Sequence, residues 1–369
     1  MAEPLKNAFG PEVAAGIARQ ILRVHRAFPI QPFLRDVRKG YHALNLMARG
    51  RHIAHALKKH LPAEYPKAVG ILQESLGSRP DSTGNALASF FYLPHTQFVS
   101  EFGLEHLAVS LKAQYELTKR FTAEFSIRPF LVRYPKETLA RLHEWCEDPD
   151  VHVRRLVSEG TRPRLPWGMR LKHFQRDPSP VLALLEKLRD DPELYVRRSV
   201  ANNLNDIGKD HPDLLARTAA RWLKGASPER RWIVGHALRS AVKRGEPGAL
   251  RVLGCDRPVK VGIGDVVISP GRPSIGGAVR VGFSLRNPGK KAQRIMADLR
   301  IHFVKANGKT SPKVFKLKQL ELGPGDSVEL GKKISVAVQT TRRPYPGIHR
   351  VEVLLNGRPQ SLGKFWLRE

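Results

Sequence analysis

Cysteine is almost absent from this chain: Cys146 and Cys255 are the two thiols in 369 residues, far apart in sequence. Such a pair suggests neither a disulfide framework nor a cysteine metal cluster. Acidic side chains are scarce as well, 34 against 63 lysines and arginines, which leaves a formal net charge of +29. No stretch approaches the roughly 20 consecutive apolar residues of a membrane span. The opening MAEPLKNAFG lacks the basic-then-apolar pattern of a secretory signal. P-loop, GxGxxG, HExxH and GxSxG patterns are missing too, so phosphoryl transfer, dinucleotide use and serine hydrolysis have no support. The expectation is a cytoplasmic protein with no membrane partner and no cofactor.

What is plentiful is positive charge. A surplus of this size predicts long-range attraction to a polyanion and salt-dependent affinity. Nucleic acid is the first candidate and an anionic membrane surface the second. Residues 256–369 hold 22 Lys+Arg and 8 Asp+Glu, net +14, which leaves +15 for residues 1–255. The C-terminal end is therefore the more densely basic, and it too is expected to meet the polyanion.

An internal repeat organises the middle of the chain. Asp148-Pro149-Asp150-Val151-His152-Val153-Arg154-Arg155 recurs 43 residues later as Asp191-Pro192-Glu193-Leu194-Tyr195-Val196-Arg197-Arg198. That offset falls in the range of HEAT or armadillo helix pairs. Each copy opens with an Asp suited to cap a helix and a Pro suited to its first position. Ser227-Pro228-Glu229 opens a weaker third copy. Val153, Leu156, Val157 and Gly160, then Val196, Val200, Leu204 and Ile207, follow the i, i+3, i+4, i+7 spacing of a helix burying one face. Further helices are expected over 136–146, 178–189 and 212–224, and upstream over 12–28, 41–60, 64–76, 84–93 and 103–121.

The periodicity then changes. Val279, Val281, Phe283 and Leu285 alternate with polar or small residues, as do Ala297, Leu299, Ile301 and Phe303. Asn307-Gly308 and Asn356-Gly357 are hairpin signals. About seven strands fit into 258–368. The fold class is thus multidomain: an all-α HEAT-like helical-repeat solenoid over 1–255, then an all-β immunoglobulin-like sandwich over 256–369.

Chemistry has one obvious location. The link between 160 and 178 is about twice the ordinary helix–helix connection of about 2–8 residues. It contains two prolines, Trp167, His173 and five cations: Arg162, Arg164, Arg170, Lys172 and Arg176. Cations interleaved with an aromatic suit phosphate contact plus stacking; a surface loop whose Trp167 packs back on the helices would look the same. At about 100° per residue, Glu159 lies about 240° from Val153 and Asp206 about 280° from Val196, with Arg155 and Arg198 at about 200°. Both acids should therefore face the surface bordering the loop. An acid in a basic strip repels phosphate, which points to a role; an Arg155–Glu159 pair at i,i+4 is the plain alternative. Glu124, between Phe121 and Phe125, is either a desolvated carboxyl or a first-turn acid. His52, His55 and His60 have metal-like spacing but no nearby Cys or acidic ligand in sequence, so no metal is expected.

Ser158-Glu159-Gly160-Thr161-Arg162-Pro163-Arg164-Leu165-Pro166-Trp167 resembles the signature segment of the AlkC branch of the AlkC/AlkD DNA glycosylases. Phe125-Ser126-Ile127-Arg128-Pro129-Phe130 and Asn202-Asn203-Leu204-Asn205-Asp206 resemble two further segments of that family. Some members also append an immunoglobulin-like domain. The resemblance implies a monofunctional glycosylase that removes cationic alkylated bases, such as 3-methyladenine and 3-methylcytosine, from double-stranded DNA without flipping the base. Carried over, Glu124, Glu159, Asp206 and Trp167 form the catalytic set. Arg154, Arg155, Arg162, Arg164, Arg170, Lys172, Arg197 and Arg198 would hold DNA, joined by Lys290, Lys291, Arg342 and Arg343 of the β-domain. A monomer without an obligate protein partner is expected. Two rivals stand beside this reading: a non-catalytic HEAT and immunoglobulin-like scaffold, and an acid-dependent glycosidase acting on a soluble nucleoside.

Overall fold

The computed structural model describes residues 9–78, 88–339 and 343–369. Packing divides the chain into two compact units, at Asp210/His211. The expected boundary at 255/256 follows the change of secondary structure instead.

The first unit begins with α1 (Glu12–Val24), α2 (Ile30–Arg38), α3 (Leu46–His60), α4 (Tyr65–Glu74), α5 (Leu93–Phe102) and α6 (Leu107–Thr118). Ile17, Phe33, Tyr41, Ile53, Leu57 and Phe98 form much of their shared core. The helix expected over 84–93 is not formed as such. Ala88–Tyr92 is a 3-10 turn, α5 starts at Leu93, and 84–87 lie outside the described residues. Pro94 sets that start, because a residue without an N–H is tolerated only in a first turn.

The repeat follows: α7 (Arg128–Arg133), α8 (Pro135–Trp145), α9 (Val151–Gly160), α10 (Lys172–Arg176), α11 (Ser179–Leu188) and α12 (Leu194–Ile207). The inward residues predicted for α9 and α12 are buried in both helices. The helix starts differ from the expected cap. Asp148 accepts the Asp150 N–H at 2.8 Å and Asp191 accepts the Glu193 N–H at 2.9 Å, so each Asp-Pro is a turn ahead of the helix.

That turn explains why an arginine recurs with it. Arg154 Nη1 donates to the Asp148 and Pro149 carbonyls at 2.9 and 3.0 Å. Arg197 Nη1 donates to the Asp191 and Pro192 carbonyls at 2.7 and 2.6 Å. Arg154 also holds Asp191 of the next copy through Nε at 2.6 Å. These two arginines brace the repeat instead of standing free for phosphate, because their guanidinium donors are engaged by the carbonyls of their own turns.

The second unit joins α13 (Pro212–Leu223), α14 (Pro228–Arg244) and α15 (Pro247–Val252) to seven strands: β1 (Gly262–Ser269), β2 (Ala278–Arg286), β3 (Gln293–Val304), β4 (Thr310–Leu322), β5 (Ser327–Ser335), β6 (Gly347–Leu355) and β7 (Arg358–Leu367). The strands form two antiparallel sheets, β1-β2-β5 and β4-β3-β6-β7. Val281, Phe283, Leu299, Ile301, Val353 and Phe365 fill the space between them. Both Asn-Gly pairs form the expected turns: Gly308 has φ 73°, while Asn356 and Gly357 have φ 50° and 77°. Gly357 packs on the helices: a Cβ there would come within 2.8 Å of Leu250 and 3.2 Å of the Gly245 Cα. This contact groups the last three helices with the sandwich.

Arg197→Met removes both carbonyl bonds of one brace and is expected to cost about 1–3 kcal/mol in urea unfolding. A change below about 0.3 kcal/mol would mean that water serves those carbonyls equally well.

Candidate active site

A cleft of about 630 Å³ opens beside α9 and the long link after it, with Glu124, Arg155, Glu159, Arg162, Trp167 and Tyr195 among its lining residues. Met47, Phe90, Leu93, Phe121 and Phe125 give it an apolar end. Three of the four predicted catalytic residues, Glu124, Glu159 and Trp167, therefore meet in one place.

The polar side is a ladder of alternating charge. Arg155 Nη1 donates to Glu124 Oε2 at 2.6 Å, and its Nη2 lies 3.7 Å from Glu159 Oε1. Arg162 Nη1 donates to the same Glu159 oxygen at 2.6 Å. Arg162 Nε and Nη2 both reach Asp206 Oδ2 at 2.8 Å, and Lys209 Nζ reaches Asp206 Oδ1 at 2.7 Å. Hydroxyls complete the set: Thr122 donates to Glu124 at 2.7 Å and Ser199 to Glu159 at 2.6 Å. The i,i+4 contact weighed for Arg155 and Glu159 is present, but as one rung of this longer array.

Burial would push the Glu159 carboxyl up, but Arg155 and Arg162 outweigh it, and the net result is a carboxyl held below the usual range. The same pairing raises both arginines against the burial that opposes it. Glu159 is thus an anion at the edge of the cleft, an acceptor with no proton to give.

Asp206 faces the link, as its helical phase predicts, but it is fully buried and lies behind Arg162, outside the cleft lining. The long link folds back over that part of α12 and brings the Arg162 guanidinium onto it. Arg198 is exposed and does not line the cleft, and Arg164 is paired to Asp210. Arg170, Lys172, Lys290, Lys291 and Arg343 are exposed, as phosphate contacts require; Arg342 lies outside the described residues.

Trp167 is 71% exposed and has φ 61°, a left-handed conformation that is strained for a bulky residue. The link around it is firmly held. Leu165, Leu171 and Phe174 are buried beneath it, and Leu171 N donates to the Pro163 carbonyl at 3.3 Å. Below them lies Arg128, completely buried. Its Nη1 donates to the Gly160 carbonyl at 2.7 Å, its Nη2 to Arg162 at 2.8 Å and to Met169 at 2.6 Å, and its Nε to Met169 at 2.9 Å. Burial, and then Arg162, push this guanidinium down to about 10, which leaves it charged at neutral pH. Sequence reasoning gave Arg128 no role; its signal was a lone charge in an apolar segment, Ile127-Arg128-Pro129-Phe130.

The three histidines of α3 point to different partners. His52 bonds the Val37 carbonyl at 2.9 Å, His60 bonds Asp36 at 2.9 Å, and His55 packs on Phe102. Among the described residues, no group of three or more His, Cys, Asp or Glu is placed to hold a metal. No helix among them is long and apolar enough to cross a membrane.

Residues 114–240 match the family described as DNA alkylation repair enzyme. Residues 262–369 match the C-terminal Ig-like domain of uncharacterised protein YhaZ. Over 354 residues the chain is 36% identical to the Bacillus subtilis (strain 168) protein named Uncharacterized protein YhaZ, covering 96% of both. A solved structure of Pseudomonas fluorescens alkylpurine DNA glycosylase AlkC, bound to DNA containing an abasic site analog, is 35% identical, covers all of both chains and superimposes with a TM-score of 0.91.

Two outcomes check the array. Arg162→Met leaves Glu159 and Asp206 without their shared cation and is expected to cost about 3–5 kcal/mol in chemical unfolding; a loss under about 1 kcal/mol would show that the ladder does not hold the site. Because the folded Glu159 carboxyl is depressed, its stabilisation is complete above the unfolded value of about 4.3 and is lost as pH falls through the folded value. Glu159→Gln should therefore flatten acid unfolding below about pH 4. An unchanged acid limb would contradict the assignment.

Proposed function

This chain belongs to the DNA alkylation repair enzyme family, and from that premise we propose that it is a monofunctional DNA glycosylase that hydrolyses the N-glycosidic bond of cationic alkylated bases in duplex DNA. The substrates are of the 3-methyladenine and 3-methylcytosine type. One observation carries the reading: two carboxylates, Glu124 and Glu159, lie on one cleft beside an exposed tryptophan, each bound to an arginine.

An alkylated base that already bears a positive charge is a good leaving group, and the reaction needs no general acid. Its departure leaves an oxocarbenium-like sugar, which anions fixed in place stabilise. Glu124 and Glu159 supply that charge and accept a proton from the attacking water. Trp167 packs against the sugar or the cationic base, adding a cation–π contribution of about 0.5–2 kcal/mol. Asp206 acts one step back: by holding Arg162 it fixes the guanidinium that orients Glu159, which makes it a positioning residue. Lys119, the lysine on the cleft lining, has its ammonium 3.0 Å from Glu116 and over the Tyr115 ring. That tethering favours water over an amine nucleophile. Because Trp167 projects outward from the link, the lesion is met at the rim and need not be extruded from the stack.

Arg170, Lys172, Lys290, Lys291 and Arg343 contact phosphates. Charge reversal of Lys290 and Lys291 together should weaken duplex binding and lower the salt slope by about 2, about 1 per lysine; an unchanged slope would remove the β-domain from the interface.

The central test is release of methylated base from alkylated duplex DNA. Glu159→Gln is expected to lose about 10²–10³ in rate with binding retained. Asp206→Asn should lose less and shift the acid limb of the rate profile, since it acts on the Glu159 environment. Equal release by all three proteins would remove the catalytic assignment, and no release by wild type would favour a scaffold. 2-Aminopurine beside the lesion should stay quenched on binding; strong brightening would mean the base is flipped.

A further inference from the structure

We propose that Thr122 is a positioning residue for base release: its hydroxyl decides which oxygen of Glu124 the cleft receives. It rests on the reading of this chain as a glycosylase, in which Glu124 and Glu159 serve together.

The carboxylate oxygens of the array are not equivalent. Glu159 Oε1 accepts from Arg162 at 2.6 Å, and Glu159 Oε2 accepts from Ser199 at 2.6 Å. Asp206 Oδ1 accepts from Lys209 at 2.7 Å and Asp206 Oδ2 from Arg162 at 2.8 Å. Glu124 differs. Both of its partners, Thr122 at 2.7 Å and Arg155 at 2.6 Å, bind the same oxygen, Oε2. Among the described residues nothing bonds Glu124 Oε1, and that oxygen is open to solvent on a residue that lines the cleft.

Thr122 accounts for the asymmetry. A hydroxyl has one proton to donate and two lone pairs to accept with. Here both lone pairs are taken: Arg155 Nη1 donates to Thr122 Oγ1 at 2.9 Å and the Glu124 N–H at 3.2 Å. The hydroxyl proton is left a single direction, onto Glu124 Oε2. Buried Phe121 and Ala123 fix the backbone on either side of Thr122, while Glu124 sits on the turn ahead of α7 with no helix to orient it. A guanidinium that meets a carboxylate frequently grips both oxygens. Arg155 does not: its Nη1 is shared with the Thr122 hydroxyl, and its Nη2 lies 3.7 Å from Glu159 Oε1. Without the hydroxyl, the Arg155 fork can close on both Glu124 oxygens and withdraw Oε1 from the cleft.

That open oxygen receives the proton of the attacking water. As the glycosidic C–N bond breaks, its electron pair leaves with the cationic base, which becomes neutral. The water oxygen then bonds the anomeric carbon, and a water proton passes to Glu124 Oε1. Glu159, with both oxygens engaged, stays an anion beside the sugar cation. A general base needs a lone pair within hydrogen-bond reach of the proton it takes, and Thr122 keeps one available.

The experiment compares full-length wild type, Thr122→Val and Thr122→Ser in single-turnover release of methylated base from alkylated duplex, with duplex affinity and melting curves alongside. Valine keeps the branched shape and removes the hydroxyl. It should lower the release rate about 10- to 100-fold and leave duplex Kd unchanged. Serine returns the hydroxyl and should recover most of that loss. A role in packing alone predicts the reverse order, with valine near wild type and serine impaired. If folded Thr122→Val releases base at the wild-type rate, or if serine does not recover what valine loses, the hydroxyl does not position Glu124. A rise in Kd that matches the loss of rate would make Thr122 a binding contact and overturn the proposal as well. Should Thr122→Val fail to fold, Thr122→Ala removes the same hydroxyl and carries the same expectations. Absence of release by wild type would overturn the glycosylase reading itself, an outcome distinct from these.

Discussion

A single guanidinium under the long link holds the segment that carries Arg162 and Trp167 to the cleft. Arg128 is buried without exposure, and its donors are spent on the carbonyls of Gly160, Arg162 and Met169. Those three residues mark the end of α9, the second arginine of the charge ladder and the far side of Trp167. One planar group thus ties together three points that a flexible loop would let drift. Lysine, with a compact ammonium and no fixed fork, could not span them. The unfavourable φ of Trp167 persists for the same reason: strained backbone survives only where its surroundings leave it no alternative.

The second constraint is electrostatic. Burying Glu124, Glu159 and Asp206 would ordinarily drive them toward protonation. Alternation of charge prevents that for Glu159, since each acid in the sequence Glu124–Arg155–Glu159–Arg162–Asp206–Lys209 touches a cation. The arrangement suits a reaction in which positive charge develops on the substrate. It would suit protonation of a leaving group poorly, because the arginines hold the proton affinity of Glu159 down. A duplex also brings its own negative charge, and the net charge of the ladder limits how strongly its carboxylates repel it.

Helix periodicity and the 43-residue repeat made most of the fold legible, because burial of one helical face is a local pattern. The hairpins at Asn307-Gly308 and Asn356-Gly357 were legible for a similar reason: a two-residue turn is written in two residues. The site was legible only in part. Glu159 could be placed by counting degrees around α9, and its neighbour Arg155 with it. The face of Asp206 could be counted in the same way but its burial could not, because what covers it is the returning link, 44 residues away in sequence at Arg162. Arg128 was invisible for the complementary reason. Its partners are main-chain carbonyls, which carry no side-chain signature. Arg154 and Arg197 looked like phosphate ligands because charge alone does not reveal that a guanidinium faces its own turn.

Those two arginines also show how a repeat can be kept while its surface changes. The brace from arginine to the Asp-Pro carbonyls needs the same residues in each copy, so it recurs with the period. The positions five and nine residues after the N-cap face away from the buried stripe and carry no such demand. They hold Arg155 and Glu159 in α9, Arg198 and Asn202 in α12, and Trp232 and His236 in α14. Packing fixes where these side chains stand, and leaves their chemistry free to differ. A carboxylate pair can then arise on a basic protein without disturbing its framework, provided that arginines are at hand to keep it ionised.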